Sequence, residues 1–274
     1  MTSRLQFDVI GRWSEVKLAI LREYATAYST ILSAQQNPKL YHVYIDGFAG
    51  AGIHISKATE RPVLGSPLIA LAVQPPFKEF FLIDLDSARV QNLRDIIGDR
   101  SDVHLYQGDC NSVLLNEVFP RVQWRDYRRG LCILDPYGLH LNWTVIKTAG
   151  EMRTLDMFLN FPVMDINMNV IWHDPTKVDA ADIARMNAFW GDESWRSVAY
   201  ATDRNLFGYP ERESNETIAE AFRDRLQRVA GFKWVPKPMP MRNSMGAIVY
   251  YLFFASQKDT AESIVLDIFA KYGT

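Results

Sequence analysis

Cysteine, net charge and long apolar runs are all scarce in this sequence of 274 residues. The two cysteines, Cys110 and Cys132, have no metal-ligand spacing between them, which favours a reduced, cytoplasmic setting. The formal net charge of −2 gives no general attraction to a polyanion, so a nucleic-acid surface would have to be a local basic patch. No apolar run approaches the ~20 residues that a membrane-spanning helix needs. We therefore expect a soluble, cytoplasmic protein that does not associate with a membrane.

Histidine is sparse as well, and the five histidines are scattered without the spacing of metal ligands. We accordingly expect no metal site. His54 and His140 lie close to the two glycine- and aspartate-containing motifs described below, and Asn160 ends an apolar run. His54 and His140 are therefore secondary candidates for the mouth of a ligand pocket, and Asn160 is one for contact with a substrate. A purely structural role is the alternative interpretation for each of the three.

The sequence does contain a regular alternation of apolar runs with helical segments. Apolar and aromatic residues recur every three to four positions between Ser14 and Ser33, which predicts a long leading helix within residues 1–40. Because parallel strands need crossover connections, the alternation predicts a doubly wound, Rossmann-like α/β fold with a mostly parallel sheet. The five predicted parallel strands are Tyr41–Ile45, Glu79–Ile83, Val103–Tyr106, Gly130–Leu134 and Leu155–Phe161.

The sequence pattern in the last third of the chain predicts the remaining strands of the sheet. Two β-rich runs, Gly231–Val235 and Ala247–Ala255, predict a hairpin-like pair, which makes seven strands with one antiparallel. Residues 165–230 predict a helical insertion before this pair. The run Pro236–Pro240 predicts a rigid loop within it. No interdomain linker is evident, so residues 1–274 are predicted to form a single domain.

A glycine-rich turn follows the first strand, with the spacing Asp46-Gly47-x-x-Gly50-x-Gly52. It is not the GxGxxG that approaches a dinucleotide pyrophosphate, and no Lys-Ser/Thr pair follows Gly52 as in a P-loop. The turn therefore predicts close approach to a ligand without phosphate, with Asp46 available for a cationic amino group. S-adenosylmethionine has that amino group and no phosphate.

Four of the predicted strands end at or near an aspartate: Asp46, Asp84, Asp109 and Asp135. Ligands of open α/β sheets bind beyond the carboxyl ends of the strands. Asp84 is placed to accept the two ribose hydroxyls and Asp109 to accept an adenine amino group. For each aspartate alone, a helix N-cap or a turn is an equally good interpretation. The occurrence of all four aspartates, one after each of four successive strands, favours a nucleoside-containing ligand.

The fourth strand continues into Asp135-Pro136-Tyr137-Gly138. In such a motif the aspartate can accept a hydrogen bond from an exocyclic amine, the proline can hold a backbone carbonyl in place, and the aromatic ring can stack on the base. Together these groups can hold an amino group in line with a methyl donor. The alternative interpretation is a simple Asp-Pro turn at a strand end.

These residues resemble the class I S-adenosylmethionine-dependent methyltransferases. The run from Tyr44 to Gly52, the Gly65-Ser66-Pro67 helix start and the segment from Arg128 to Gly138 are more specifically similar to the three-Cys-motif partner family. The core from Tyr44 to Tyr137 also resembles the adenine-N6 methyltransferases of large-subunit ribosomal RNA, whose motif is normally Asp-Pro-Pro-Tyr, whereas Tyr137 here follows Pro136 directly.

The resemblance implies a set of site residues and partners. Catalysis is implied for Asp135, Pro136 and Tyr137. A three-cysteine, radical-S-adenosylmethionine-like protein is implied as a partner, and nucleic acid as a substrate. Binding of S-adenosyl-L-methionine is implied for Asp46, Gly47, Phe48, Ala49, Gly50, Gly52, Ser66, Asp84, Asp109 and Lys17.

Two hypotheses follow for the function. The first is a methyltransferase that acts on an amino group of a nucleobase. The second is a catalytically silent, methyltransferase-like binding partner of the three-cysteine protein. A dinucleotide-dependent oxidoreductase is a weaker third, because the glycine spacing disfavours it.

Overall fold

The computed structural model describes residues 7–204 and 210–273 as an α/β protein. No helix in these two ranges is long and apolar enough to cross a membrane. The strands are β1 (Val9–Ile10), β2 (Tyr41–Asp46), β3 (Ile53–Ser56), β4 (Pro62–Leu64), β5 (Glu79–Asp84), β6 (Val103–Gln107), β7 (Arg128–Leu134), β8 (Leu155–Phe161), β9 (Tyr200–Arg204), β10 (Pro210–Arg212), β11 (Met239–Arg242) and β12 (Ile248–Ala255).

Within these described ranges, ten α-helices surround the strands. A short π-helical segment, Leu114–Val118, directly follows the fourth of them. The helices are α1 (Arg12–Ala34), α2 (Ser66–Leu71), α3 (Ser87–Ile97), α4 (Cys110–Val113), α5 (Trp143–Met152), α6 (Val163–Asn169), α7 (Ala180–Trp190), α8 (Trp195–Ala199), α9 (Asn215–Arg228) and α10 (Asp259–Tyr272).

The main sheet has seven strands in the order β6-β5-β2-β7-β8-β12-β11. β12 is antiparallel to both of its neighbours, and the other six strands are parallel to one another. The predicted fold class, a doubly wound sheet with one antiparallel strand, is therefore confirmed. From β2 the chain builds the sheet outward through β5 and β6, and then returns to build the other side from β7. The strand order consequently reverses between β2 and β7.

α1 covers one face of the sheet. Its buried residues, among them Leu21, Tyr24 and Tyr28, follow a spacing of three to four, which is the helical period predicted from the sequence. The ring of Tyr24 packs edge-on against that of Phe158 in β8. α1 also packs against α10, and Glu23 accepts hydrogen bonds from Lys271 and Tyr272 at 2.5 Å.

The opposite face of the sheet is covered by α5, α7 and α9. Phe222 in α9 lies in its centre, with ring centroids 4.7 Å from Phe161 in β8 and 5.5 Å from Phe189 in α7. The predicted insertion, residues 165–230, therefore shares one core with the sheet. It contains helices and also the antiparallel pair β9–β10. Residues 205–209 of this region and residues 1–6 of the leading segment lie outside the described ranges.

Two local predictions were wrong. The last hairpin pairs β12 with Met239–Arg242, and not with Gly231–Val235, from which only Trp234 forms an isolated bridge, to Ser256. β11 is an edge strand, and an edge strand tolerates Pro240 because its missing N–H faces outward. The predicted loop Pro236–Pro240 is correspondingly shorter, because Met239 and Pro240 belong to β11. The segment between the glycine turn and α2, for which the sequence indicates no strand, forms the β3–β4 hairpin, which pairs with β1 in a small second sheet.

Candidate functional site

A cavity of about 100 Å³ opens at the carboxyl ends of β2 and β7, where the strand order reverses. This is the position at which open α/β sheets bind ligands. The segments that follow the two adjacent strands run to opposite faces of the sheet there, and this leaves a crevice between them. α1 forms the outer wall. The wall consists of one helix face, made by Ser14, Lys17, Leu18 and Leu21.

The glycine turn after β2 forms the floor of the cavity. Gly50 and Gly52 have φ values of 64° and 84°, in the left-handed region that favours glycine. The turn is fixed by its neighbours, because the N–H of Gly47 donates to the carbonyl of Ile133 at 2.9 Å and the N–H of Gly50 donates to Asp84 Oδ2 at 2.8 Å. The backbone of Gly50 thus faces the cavity without an intervening side chain.

Asp46, the last residue of β2, lies behind this floor and is fully buried. Its carboxylate accepts hydrogen bonds from the Ser66 hydroxyl at 2.6 Å, the Tyr44 hydroxyl at 3.1 Å and the Phe48 N–H at 3.1 Å. Burial raises the pKa of Asp46 to about 6, although these hydrogen bonds oppose the shift. Asp46 does not line the cavity. Its direct contacts hold β2, the glycine turn and the start of α2 together.

Asp135 lies on the other side of the cavity, directly after β7. It forms an ion pair with Lys17 of α1, which is 118 residues away in sequence. Burial, the largest single influence, lowers the pKa of Lys17, but the charge and hydrogen bond of Asp135, together with Tyr250 and Tyr137, outweigh it, so the net pKa lies above the ordinary value of lysine. The ammonium group also lies 5.3 Å from the centre of the Tyr250 ring. The bond from Lys17 reaches Oδ2 of Asp135, and no described donor reaches Oδ1.

Tyr137 stands at the mouth of the cavity and is 74% exposed. Its hydroxyl donates to Asp8 at 3.3 Å and accepts from Arg89 of α3 at 3.4 Å. Arg89 and Asp8 also form an ion pair at 3.1 Å. The ring of Tyr137 is therefore positioned by the segment before α1 and by α3.

Asp84 and Asp109 do not line the cavity. Asp84, at the end of β5, accepts from the N–H groups of Gly50 and Asp86, one on each oxygen, which leaves further lone pairs on both oxygens. Asp109 caps α4 by accepting from the Ser112 N–H at 3.0 Å. The cap interpretation that the sequence left open therefore describes the contacts of Asp109.

The structure brings about half of the predicted site residues to one cavity. Pro136, Gly47 and Gly52 are within two residues of lining residues in sequence but do not line the cavity. Asp46, Asp84 and Asp109 do not line it either. Of the secondary candidates, His54 and Asn160 line the cavity and His140 does not. The predicted residues in the lining are Lys17, Phe48, Ala49, Gly50, Ser66, Asp135 and Tyr137.

Several lining residues were missed by the sequence reasoning. Ser14, Leu18 and Leu21 belong to the same face of α1 as Lys17, so the helical period could have identified them once Lys17 was chosen. Phe158 and Leu252, on β8 and β12, carry no local signal. Within the described residues, no group of three or more His, Cys, Asp or Glu side chains could hold a metal ion.

Comparison with known proteins gives similarity at the level of the fold. No protein-family model and no curated protein matches the chain. Among solved structures, the chain is similar to protein LPL1258 of Legionella pneumophila, assigned to the family model DUF519. The TM-score is 0.51 and the identity 13%, over 93% of this chain and 92% of that one. At this identity the similarity shows a shared fold only.

Two more distant structures are described as methyltransferases. One is a putative S-adenosylmethionine-dependent methyltransferase from Listeria monocytogenes, with a TM-score of 0.40 and 12% identity over 87% of this chain and 99% of that one. The other is the plantazolicin methyltransferase BamL in complex with a triazolic desmethylPZN analogue and SAH, with a TM-score of 0.36 and 10% identity over 90% and 89%. Their TM-scores are too low to support an inference about this chain.

Proposed function

We propose that this chain is an S-adenosylmethionine-dependent methyltransferase whose acceptor is an amino group of a nucleobase. One observation carries the proposal: a partly exposed carboxylate, Asp135, faces a glycine-floored cavity at the point where the strand order reverses. In this position a carboxylate can orient an acceptor against a donor bound over the glycine turn.

The cofactor side of the proposal rests on the turn from Gly47 to Gly52. Its backbone approaches the cavity closely and it has no lysine for a phosphate. The cavity of about 100 Å³ accommodates only part of S-adenosylmethionine, and we assign it to the amino-acid end. The nucleoside would then extend along the sheet edge past Asp84, whose remaining lone pairs suit ribose hydroxyls, toward Asp109. When bound, the cofactor supplies an electrophilic methyl group.

The acceptor side rests on Asp135, Pro136 and Tyr137. Oδ1 of Asp135 is the atom we assign to accept a hydrogen bond from the substrate amine, because Lys17 occupies Oδ2. The carbonyl of Pro136 already accepts a long bond, 3.4 Å, from the buried amide of Asn160. The exposed ring of Tyr137 offers a stacking surface for a base. Asp135 would orient the nitrogen lone pair, and alignment would provide most of the catalysis.

Methyl transfer from labelled cofactor to RNA, DNA and free nucleosides tests this proposal. We expect transfer to at least one nucleobase acceptor, and a loss of about a hundredfold or more in Asp135→Asn, because the amide cannot replace both acceptor oxygens. Asp102→Asn is the matched control, since Asp102 is also a partly exposed aspartate in an arginine ion pair, with Arg100 at 2.7 Å. Full activity in Asp135→Asn would refute the role assigned to Asp135.

Cofactor binding is tested separately by calorimetric titration with S-adenosylhomocysteine. We expect saturable binding by the wild type, unchanged binding by Asp135→Asn, and binding weakened by about tenfold or more in Asp84→Ala, which loses the ribose acceptor and the anchor of Gly50. Absence of binding by the wild type would remove the methyltransferase proposal.

The ion pair between Lys17 and Asp135 favours a second candidate function. A carboxylate already neutralised by a lysine is a weaker acceptor, which suits a catalytically silent partner of a three-cysteine, radical-S-adenosylmethionine-like protein. This candidate predicts a stable complex with such a protein that is unaffected by Asp135→Ala, and no methyl transfer by the complex. Turnover that depends on Asp135 would exclude it.

A further inference from the structure

A second cavity, of about 330 Å³, lies at the opposite edge of the sheet. Leu155 at the start of β8 lines it, together with Arg129 near the start of β7 and Lys258 just before α10. The amino ends of the parallel strands meet at this edge, so the second cavity is separated from the candidate site by the length of the strands. Its volume lies within the range of small-molecule sites, about 300–1,000 Å³.

Three cations line this cavity without an ion pair. They are Arg129, Arg153 and Lys258. Among the described residues, no carboxylate oxygen lies within 4.0 Å of a side-chain nitrogen of any of them. The guanidinium of Arg129 donates to the carbonyl of Arg128 at 2.6 Å, and partial burial lowers its pKa. The cations therefore favour an anionic ligand.

The one carboxylate in the lining does not compensate these charges directly. Asp156 accepts from the Tyr24 hydroxyl at 2.6 Å and from the Ser256 hydroxyl at 2.5 Å, one on each oxygen. Burial raises the pKa of Asp156, and the nearby charge of Lys258 opposes this shift only as the smallest contribution. Three cations thus face one carboxylate whose oxygens are already hydrogen-bonded.

An aromatic layer completes the cavity. The guanidinium of Arg129 stacks on Trp124 at 3.5 Å from the ring centroid, and Trp124 remains 51% exposed. Gln257 donates from Nε2 to the carbonyls of Gly150 and Gly231, and its Oε1 is shielded from the cavity as well as from solvent. The exposed ring of Trp124 is therefore the part of the lining that suits an aromatic ligand.

We propose that this second cavity binds a nucleoside phosphate. The phosphate would pair with the guanidinium and ammonium groups, and the base would stack on the layer formed by Arg129 and Trp124. An aliphatic anion would satisfy the cations but would make no use of the exposed ring of Trp124. The proposal is independent of the function proposed for the first cavity.

Calorimetric titration of the full chain with the four ribonucleoside 5′-monophosphates, one at a time, tests the proposal. We expect saturable binding of at least one of them, with the corresponding nucleoside and inorganic phosphate each binding about tenfold more weakly or worse. Arg129→Gln and Lys258→Gln should each weaken binding by about tenfold, because each removes a charge-assisted contact. Lys258 is exposed, so its substitution preserves the fold if that of Arg129 does not.

Arg196→Gln is the matched control, because Arg196 also stacks on a tryptophan, Trp195 at 4.6 Å, and lies outside the cavity. It should bind like the wild type. Asp84→Ala should also bind normally, since Asp84 lies at the carboxyl end of β5 and does not line the second cavity. The proposal is overturned if none of the monophosphates binds saturably, or if inorganic phosphate alone binds with equal affinity. It is also overturned if Lys258→Gln and correctly folded Arg129→Gln bind like the wild type, or if only Asp84→Ala loses binding.

Discussion

The carboxyl ends of β2 and β7 lie side by side, and each is marked by an aspartate in opposite surroundings. Asp46 is paired in register with Ile133, two residues before Asp135. Asp46 is fully buried and accepts from three groups of the protein, whereas the side chain of Asp135 is 32% exposed and has one described partner, Lys17. Equivalent positions in the topology thus provide one carboxylate that stabilises the glycine turn and one that faces the cavity.

Removal of the buried carboxylate should have the largest effect on stability. We expect Asp46→Ala to lower the free energy of unfolding by about 4 kcal/mol at pH 7, because two hydroxyls and one N–H lose their acceptor at about 1–3 kcal/mol each, while the loss of a buried charge offsets part of this. Urea denaturation measures the change. Asp102→Ala is the control, with an expected loss of about 1 kcal/mol or less. Equal losses of unfolding free energy in Asp46→Ala and Asp102→Ala would contradict the special structural role assigned to the buried Asp46.

The second prediction concerns pH. The pKa of Asp46 is about 6 in the folded state, above the ordinary value of 3.8, so folding binds a proton between these values. The contribution of Asp46 to stability is complete below pH ~4 and declines as the pH rises to about 6. Asn does not titrate. The free energy of unfolding of Asp46→Asn should therefore rise relative to that of the wild type by up to about 3 kcal/mol between pH 4 and pH 7.

Urea denaturation of the wild type and Asp46→Asn at several pH values measures this shift. Asp102→Asn serves as the second variant, because the guanidinium of Arg100 holds the pKa of Asp102 below its ordinary value, and its difference from the wild type should not follow the same curve. A difference between Asp46→Asn and the wild type that is constant with pH would contradict the raised pKa of Asp46.

A smaller effect is expected from Ser66→Ala, which removes the shortest hydrogen bond to Asp46. The loss should be about 1.5 kcal/mol. Because this bond lowers the pKa of Asp46, its removal should raise that pKa further, as measured by NMR titration of the carboxyl carbon. Ser112→Ala is the control, since its hydroxyl donates to the exposed Asp109 at 3.2 Å. An unchanged pKa of Asp46 would show that Ser66 does not stabilise its charge.

The smallest loss of stability is expected from Asp135→Asn. Its ion pair with Lys17 is partly solvated, and such pairs contribute about 1 kcal/mol or less. Thermal unfolding in parallel with Asp46→Ala measures the contrast. A loss as large as that of Asp46→Ala would mean that both aspartates primarily stabilise the fold.

Much of the sheet could be predicted from local patterns. The five parallel strands predicted from apolar runs agree with the structure within two residues at each end, because strands buried on both faces are continuous apolar segments. β11 was missed because its sequence, Met-Pro-Met-Arg, is a poor strand by propensity, and only its edge position permits Pro240. The β3–β4 hairpin was missed because it is short and partly polar.

The candidate site was predictable only in part, for a different reason. The glycine turn and Asp135 lie on contiguous motifs, so sequence spacing identifies them. The ion pair between Lys17 and Asp135 and the hydrogen bonds of Tyr137 to Asp8 and Arg89 join segments that are far apart in the chain. Asp109 shows the opposite case. Its position at a strand end matched the motif and predicted contact with a ligand, but its contacts in the structure are those of a helix cap. Position in a motif does not determine what a side chain contacts.

The walls of the first cavity have a consequence for biosynthesis. Lys17 comes from α1 and Leu252 from β12, so the cavity requires elements from both ends of the described chain. The contacts of Glu23 with Lys271 and Tyr272 join these two ends again. A nascent chain still attached to the ribosome, with β12 not yet released, therefore has the glycine turn and both aspartates but no closed cavity around them. The cavity is therefore complete only after translation has passed β12.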